Sequence, residues 1–291
     1  NVSGALANAS GYVAAATNLT VKAGSLSNAG SLRGGNDASL LVDGQLANDG
    51  SITARRNTSV AAGSVQGGSS GVMGAGIESD GKLGATGDLR VSASGALVAM
   101  GTNLAAGNTT LQGASVDLSA SQTSAANIAI TATQGDVITS KAKVFTPGVL
   151  VITATGNSAQ TLVNEVGQLN ARQLQISASN IANTNAGEIV QTGAGATTIA
   201  VSGTLNNDGS RIASNGQDLT LQVGAATNNA GRIEHAGNGT LTIAGGSFDG
   251  ANGQITTNNA LVVAMTGAFN QDGSKAATSA KQITIDAASL S

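Results

Sequence analysis

The residues best suited to acid–base chemistry are three carboxylates and one histidine. Glu78, Asp80 and Asp88 lie in one short stretch, and a pair of carboxylates is what a glycoside hydrolase uses to cleave a sugar polymer. His235 is the only histidine, and a catalytic histidine needs a nucleophile and an orienting partner, neither of which the sequence nominates. Asp80-Gly81 is a pair typical of turns. We therefore interpret the carboxylates as solvated and His235 as an exposed turn residue, and we predict no catalytic residues.

The sequence gives equally little support for a metal or cofactor site. The absence of cysteine excludes disulfides and thiolate metal sites. Neither the calcium-binding Gly-Gly-x-Gly-x-Asp repeat nor an EF-hand loop is present. The Asp-Gly pairs at 49–50, 208–209 and 272–273 are typical of turns. The only adjacent basic pair, Arg55 and Arg56, is interpreted as part of a solvated turn. We therefore predict no metal site and no cofactor.

The composition also limits the partners. A net charge of −3 gives no general attraction to nucleic acid or anionic membrane. No apolar run approaches the roughly 20 residues that span a bilayer, so neither nucleic-acid binding nor membrane insertion is expected. Sugar-binding grooves tend to offer aromatic platforms, and only Tyr12, Phe145, Phe248 and Phe269 are aromatic. Phe248 and Phe269 occupy the apolar position of the repeat described next, so we predict that they are core residues.

The candidate residues named above lie within a short sequence repeat, whose fold must determine their positions. Each unit has an apolar residue, a short polar run containing Asn, a Gly, and Leu or Ile two residues later, as in Leu46-Ala-Asn-Asp-Gly-Ser-Ile52. The glycines of this motif recur at a nearly fixed interval of about 20 residues, which is typical of stacked repeats. They are Gly11, Gly30, Gly50 and Gly71 in the first quarter, and Gly167, Gly187, Gly209, Gly231, Gly253 and Gly273 in the second half.

Short alternating segments follow each corner, at 219–221, 241–243, 261–263 and 283–285. Period-two alternation between Gly and Asn clusters predicts strands. Strands of about three to five residues are too short to stand alone, so each must pair with its copy in the next unit. The sequence therefore predicts an all-β parallel β-helix with about 20–22 residues per coil. The mostly even spacings of the second half should keep the inward faces aligned.

The Asn two places before the Gly is predicted to form a ladder at one corner. These residues are Asn28, Asn48, Asn185, Asn207 and Asn229. An Asn amide can bond its copies above and below, and Asn tolerates the left-handed backbone that a corner needs. The neighbouring Gly should supply positive φ.

The composition indicates one continuous repeat segment over residues 1–291. Aromatic residues make up 1% and charged residues 10%, with 41 Gly and one Pro, which suits a narrow interior of Val, Ile, Leu and Ala. The first residues already resemble the inside of a repeat and the last strand has no cap, so we expect a segment of a longer protein. Residues 64–88 are rich in Gly and Ser and are expected to form an irregular coil or a protruding loop.

These features resemble a known family. The form Leu-x-Asn-x-Gly-x-Ile followed by Leu-Thr-Leu/Ile is similar to the haemagglutinin repeats of filamentous haemagglutinin and of the contact-dependent growth-inhibition exoproteins of Gram-negative bacteria. The passage from 80–91 to 135–137 also resembles that family. The resemblance implies a right-handed β-helix, export through an outer-membrane transporter by two-partner secretion, and a place in a cell-surface filament.

We accordingly expect a structural function, as the shaft of an adhesin or toxin-delivery exoprotein. Receptors on host or bacterial cells would be contacted by other parts of the parent protein. Two alternatives remain: the segment is itself an adhesive surface for glycan or a neighbouring cell, or it is a polysaccharide-degrading β-helix enzyme. A leucine-rich repeat is disfavoured because no unit shows Leu-x-x-Leu-x-Leu-x-x-Asn.

Overall fold

Short alternating segments become stable strands where neighbouring coils supply their hydrogen-bond partners. The computed structural model describes residues 1–84, 86–157 and 159–291, and these residues contain strands and turns but no helix. Strands pair in parallel with strands of the neighbouring coil and form a β-solenoid of about 14 turns. The predicted fold class is thus confirmed. Within the described ranges, no helix is long and apolar enough to cross a membrane.

The chain divides into two compact units. The first comprises Asn1–Ile138 and Ala142–Pro147, and the second comprises Thr139–Lys141 and Gly148–Ser291. Strand β17 (Lys143–Ala154) begins in the first unit and ends in the second.

The strands that lie wholly in the first unit are β1 (Val2–Asn8), β2 (Tyr12–Ala15), β3 (Leu19–Asn28), β4 (Ser31–Gly34), β5 (Ala38–Asn48), β6 (Ser51–Ala54), β7 (Thr58–Gly67), β8 (Val72–Ala75), β9 (Leu89–Ala93), β10 (Leu97–Ala99), β11 (Thr102–Ala105), β12 (Asn108–Gly113), β13 (Val116–Asp117), β14 (Gln122–Ser124), β15 (Asn127–Ala132) and β16 (Val137–Ile138).

The strands of the second unit are β18 (Thr161–Val163), β19 (Gln168–Ala178), β20 (Asn180–Ala182), β21 (Glu188–Gln191), β22 (Thr197–Asn206), β23 (Arg211–Ser214), β24 (Leu219–Thr227), β25 (Arg232–His235), β26 (Thr240–Asp249), β27 (Gln254–Thr257), β28 (Ala260–Met265), β29 (Ala268–Asn270), β30 (Ala277–Ser279), β31 (Gln282–Asp286) and β32 (Ser289–Leu290).

Inward side chains of the first unit stack in columns of like residues. Leu26 pairs with Leu46, Leu46 with Val65, Val65 with Leu97, and Leu97 with Val116. All five are at most 2% exposed. Burying each such side chain is worth about 1.5 to 3 kcal/mol. The narrow interior is therefore filled by branched aliphatic residues, which explains why the chain needs so few aromatics.

The corresponding column of the second unit contains the only buried aromatic pair of the described residues. Leu205, Ala226, Phe248 and Phe269 lie opposite one another in successive coils. The two phenylalanine rings stack with centroids 5.1 Å apart, and both side chains are 1% exposed. The prediction that Phe248 and Phe269 are core residues is confirmed. Ala226 has a small side chain, so it leaves room for the neighbouring ring.

In each unit, glycines form a column at points where the register of the strand pairs is interrupted. The members are Gly4, Gly24, Gly44, Gly63 and Gly95 in the first unit, and Gly203, Gly224, Gly246 and Gly267 in the second. Apart from Gly4 and Gly203, a Cβ on each would meet the main-chain carbonyl of the glycine one coil earlier. Nothing in the repeat pattern of the sequence indicated this column. None of these glycines has a positive φ, so backbone conformation does not require glycine here. The requirement comes from the close approach of neighbouring coils, which leaves no room for a Cβ.

We expect Gly63→Ala to lower the stability of the first unit by about 1 to 3 kcal/mol, because the added methyl overpacks the coil interface. A Cβ on Gly63 would lie 2.7 Å from the Asp43 carbonyl oxygen and 2.9 Å from that of Gly44. Gly4→Ala is the matched control, since nothing lies within 4 Å of a Cβ at that position. Amide hydrogen exchange measures both variants. Equal protection in the two would show that close approach does not select glycine here.

The strand pairs correct the glycine alignment of the second half. Glu188 pairs with Arg211, so the preceding Gly187 lies opposite Ser210 rather than Gly209. Likewise Gln254 pairs with Ala277, so Gly253 lies opposite Ala276 rather than Gly273. Several of the steps between equivalent corners are therefore odd, whereas the glycine spacing suggested even ones. Odd steps are tolerated because irregularities absorb them, such as the extra residue of β22 between Val201 and Thr204.

The alignment predicted for the first quarter is confirmed. Tyr12 pairs with Ser31, Ser31 with Ser51, and Ser51 with Val72. The glycines that immediately precede these four residues therefore occupy equivalent corners of successive coils, as their spacing in the sequence predicted.

Residues 64–88 contain both regular and irregular structure. Most of 64–75 belongs to β7 and β8, which pair with the preceding coil. The departure from the coil lies within 76–88, where Ile77 forms an antiparallel bridge with Leu83; Ala85 lies outside the described residues. Because of this excursion, Asp88 lies 31 positions after its coil equivalent Asn57.

Candidate functional site

The three candidate carboxylates each have a structural partner. Glu78 Oε2 accepts a hydrogen bond from Arg55 Nε at 2.9 Å. Asp80 accepts from the Lys82 main-chain N–H at 3.1 Å, and the two side chains are 3.5 Å apart. Arg55, Glu78, Asp80 and Lys82 are all largely exposed, with side-chain exposures of 59%, 40%, 56% and 83%, so these ion pairs add little to stability. Glu78 and Asp80 therefore make contacts within the excursion and to Arg55.

A second arginine also holds the excursion. Arg33 Nη2 donates to the Ile77 carbonyl oxygen at 2.8 Å, and Ile77 itself is 7% exposed. Arg33 and Arg55 belong to successive coils, because β4 pairs with β6. The excursion is therefore fastened to two coils of the first unit.

Asp88 belongs to a polar column along an outer corner of the first unit. Its Oδ1 accepts from the Asn108 main-chain N–H at 2.7 Å and from Asn108 Nδ2 at 3.2 Å. Its own N–H donates to Asn57 Oδ1 at 3.1 Å, and Asn57 N–H donates to Asp37 Oδ1 at 3.0 Å. Asp and Asn alternate along this part of the column, so the carboxylates of Asp37 and Asp88 accept hydrogen bonds from the N–H groups of the following Asn. A cavity of about 400 Å³ beside Asp88 is lined partly by Arg56.

His235 is buried, so the expectation of an exposed turn residue is wrong. It ends strand β25 and is 2% exposed. Nδ1 lies 2.9 Å from Thr257 Oγ1, and Nε2 lies 2.9 Å from the Gly216 carbonyl oxygen and 3.1 Å from that of Gln217. Since carbonyl oxygens only accept, Nε2 carries a proton, and in the neutral ring Nδ1 then accepts from the Thr257 hydroxyl.

This arrangement contains a hydroxyl, a base and an orienting group, which is the pattern of nucleophilic catalysis. Its burial argues for a structural role, because Thr257 is 4% exposed and lies one coil away in the same column as His235. A cavity of about 190 Å³ lies beside His235 and is also lined by Arg211, Ser214, Asn215 and Glu234, among others. The histidine ties three successive turns together.

His235 is one member of a buried polar column. Gln191 pairs with Ser214, Ser214 with His235, and His235 with Thr257. At the matching place two residues after the inward Leu, Ile or Met, the first unit has Gly34, Ala54 and Ala75. The position of His235 two residues after the inward Ile233 was the signal in the sequence that could have placed it inside.

Charged residues of the second unit meet on the short strands. Arg211 Nε lies 2.7 Å from Glu234 Oε2, and Arg211 Nη1 lies 3.9 Å from Glu188 Oε1. All three side chains are partly exposed, between 34% and 39%. Within the described ranges, no three His, Cys, Asp or Glu side chains are grouped so that they could hold a metal ion.

The feature that recurs in both units is an asparagine ladder. In the first unit, Asn8 Nδ2 donates to Asn28 Oδ1, and Asn28 Nδ2 donates to Asn48 Oδ1, both at 2.8 Å. Each amide also bonds a main-chain carbonyl of a neighbouring strand, as Asn28 Nδ2 does with Ser51 at 3.1 Å. Asn28 and Asn48, which the sequence predicted, are confirmed as ladder residues.

In the second unit the ladder has four rungs. Its members are Asn164, Asn183, Asn207 and Asn228, joined by Nδ2–Oδ1 bonds of 2.7 Å each. Asn207, Asn183 and Asn164 are 0% exposed, as is Asn228. Thr139 Oγ1 donates to Asn164 Oδ1 at 2.9 Å and extends the row by one coil.

Asn185 and Asn229 were predicted as rungs, and both predictions are wrong. Asn185 is exposed, has φ of 53°, and bonds Glu165 at 2.6 Å. Asn229 Oδ1 accepts from the Ala251 main-chain N–H at 2.9 Å. The left-handed backbone belongs to the residue that precedes the corner position, such as Ala230, with φ of 53°, so the ladder residues themselves do not need it.

Comparison with known proteins agrees with this repeating architecture. The family model described as "Haemagglutinin repeat" matches residues 1–99, 192–246 and 235–289, well over half of the chain. The chain is 41% identical over 152 residues to "Toxin CdiA" of Yersinia pestis, a match covering 52% of the chain and 5% of that protein.

A second match is 45% identical over 104 residues to "tRNA nuclease CdiA-2" of Burkholderia pseudomallei (strain 1026b) and covers 35% of the chain and 3% of that protein. The chain thus spans about a twentieth or less of the length of these curated relatives. No solved structure matches the chain.

Proposed function

Because the chain belongs to the haemagglutinin repeat family, we propose that it forms part of the shaft of a secreted adhesin or toxin-delivery exoprotein. The shaft would hold distal binding or toxin modules away from the cell. The observation that carries this proposal is the pair of buried asparagine ladders, which link successive coils through side-chain hydrogen bonds in addition to the parallel strands. Buried and fully paired amide networks resist separation, since an orphaned group costs about 1 to 3 kcal/mol.

The proposed role is mechanical and not enzymatic. The carboxylates that could do acid–base chemistry fasten the excursion or the Asp–Asn column, and His235 is held by Thr257 and two carbonyls. One relative is named as a nuclease, but the matched region covers only 3% of the length of that protein. We assign no catalytic residue to this chain.

The remaining assignments follow from the family and are part of the proposal. The parent protein would be exported by two-partner secretion through an outer-membrane transporter of a Gram-negative bacterium. It would be displayed at the cell surface or released. Receptors would be contacted by other modules of the parent protein.

Pulling the chain by its two ends tests the mechanical role. Releasing one coil of about 21 residues should lengthen the chain by roughly 70 to 75 Å, so optical-tweezer traces should show repeated steps of this size. Extension without resistance would contradict the shaft proposal. Glycan-array and whole-cell binding of the same chain should show no specific binding, and saturable binding would favour the adhesive alternative.

A further inference from the structure

Three Asn-Gly pairs occur in the second unit, at 215–216, 238–239 and 252–253. Asn-Gly is the dipeptide in which the main-chain nitrogen reaches the asparagine side chain with least hindrance, because glycine has no Cβ. For the nitrogen to attack, its N–H must leave the hydrogen bond that it makes in the fold. The partner of each glycine N–H therefore decides which pair is reactive.

Two of the three pairs are protected by main-chain hydrogen bonds. Gly239 N–H donates to the Gln217 carbonyl of the preceding coil at 2.8 Å, and Gly253 N–H donates to the Gly250 carbonyl at 2.8 Å. Asn252 is held further, because its Oδ1 accepts from the main-chain N–H of Lys275 at 3.2 Å. Freeing either nitrogen means breaking a bond of the coil or its turn.

The third pair has a weaker restraint. Gly216 N–H donates to the Ser214 hydroxyl oxygen at 2.9 Å, and a change of the Ser214 side-chain rotamer can withdraw this acceptor without moving the main chain. Asn215 is exposed, and its Nδ2 reaches the Thr192 carbonyl only at 3.4 Å. The nitrogen of Gly216 is thus the only one of the three that is not engaged by a main-chain carbonyl among the described hydrogen bonds.

We propose that Asn215 is a site of spontaneous deamidation. The nitrogen of Gly216 forms a bond to the Asn215 side-chain carbon, the bond from that carbon to the amide nitrogen breaks, and ammonia leaves with the proton given up by Gly216. Water then opens the cyclic imide to aspartate or isoaspartate. The step needs only water and no oxidant or reductant.

The product changes the cavity beside His235. Asn215 lines that cavity together with Arg211 and Glu234, so deamidation adds a carboxylate there. Isoaspartate also lengthens the main chain just before Gly216, whose carbonyl accepts from His235 Nε2. The modification therefore acts on the contact by which His235 ties neighbouring coils together.

Incubating the whole chain at mildly alkaline pH, followed by peptide mapping with mass spectrometry, measures the three sites at once. We expect Asn215 to convert several-fold faster than Asn238 and Asn252 in the folded chain. In denaturant the three rates should become similar, because all three share the Asn-Gly sequence. Faster conversion at Asn238 or Asn252, or equal rates in the folded chain, would overturn the proposal.

Ser214→Ala tests the cause of the selectivity. The first unit has Ala54 and Ala75 at the matching coil position, so alanine suits the fold here, and circular dichroism checks that the variant is folded. Loss of the hydroxyl should accelerate conversion at Asn215 and leave the other two sites unchanged. An unchanged or slower rate at Asn215 would contradict the proposal. The shaft proposal is untouched by either result, since it rests on the ladders.

Discussion

Replacing Asn207 with alanine is expected to lower the opening free energy of the second unit by about 2 to 6 kcal/mol. Asn207 Oδ1 accepts from Asn183, and its Nδ2 donates to Asn228 Oδ1 and to the Arg232 carbonyl at 3.1 Å. The substitution orphans buried amide groups on both sides of the gap, and each costs about 1 to 3 kcal/mol. Amide hydrogen exchange across β21 to β26 measures the change locally.

Asn229→Ala is the matched control for this experiment. Asn229 lies in the same type of corner, but it is only half-buried, and its side-chain oxygen accepts one bond, from Ala251. Its replacement should cost no more than about 1 kcal/mol. If Asn229→Ala is as damaging as Asn207→Ala, the buried row of amides is not what links these coils.

The contrast between these two residues shows what the sequence could predict. The period and the alternating strands indicated parallel coils, because the period recurs in the first quarter and in the second half of the chain and alternating strands follow its corners. The choice between neighbouring asparagines could not be made locally, since Asn206-Asn207 and Asn228-Asn229 both offer two amides per corner. It depends on the register of the next strand, in which Arg211 lies opposite Arg232.

Local turn chemistry also misled the interpretation of single residues. His235 comes just after the inward Ile233, which suggests an exposed turn residue, yet the coil register places it opposite the buried Ser214. Conversely, Phe248 occupies the apolar position of the repeat and is correctly predicted as a core residue, and its column in the structure contains Leu205 and Ala226. In both cases the register of the paired strands decides which side chains are buried.

Two features depend on contacts between distant parts of the sequence. The glycine column exists because a Cβ would meet the backbone of the preceding coil, whereas in the sequence these glycines look like ordinary turn residues. The excursion is fastened by Arg33 and Arg55, which lie 44 and 23 positions before their partners Ile77 and Glu78. Loss of the repeat pattern indicated an irregular region, but nothing in the pattern identified these contacts.

The second large effect concerns deletion of whole and partial coils in the second unit. Gln254 lies opposite Arg232, so removing 232–253 joins Gly231 to Gln254 and takes out one complete coil. In a solenoid only neighbouring coils touch, and each inward residue keeps an inward neighbour. We expect this shortened chain to fold and to melt cooperatively near the temperature of the parent.

Removing 232–242 instead takes out half a coil from the same starting point. The rest of β26 then lies over a corner, and its main-chain groups lose their partners at about 1 to 3 kcal/mol each if buried. We expect loss of protection throughout the second unit, with aggregation or rapid proteolysis. The two deletions differ only in where they end, which makes them a matched pair.

Thermal melting and protease resistance of this pair measure most directly whether coil register holds the chain together. We expect a folded, protease-resistant chain for the deletion of 232–253 and an unfolded or aggregating second unit for the deletion of 232–242. Equal melting temperatures and equal protease resistance for the two would contradict this expectation.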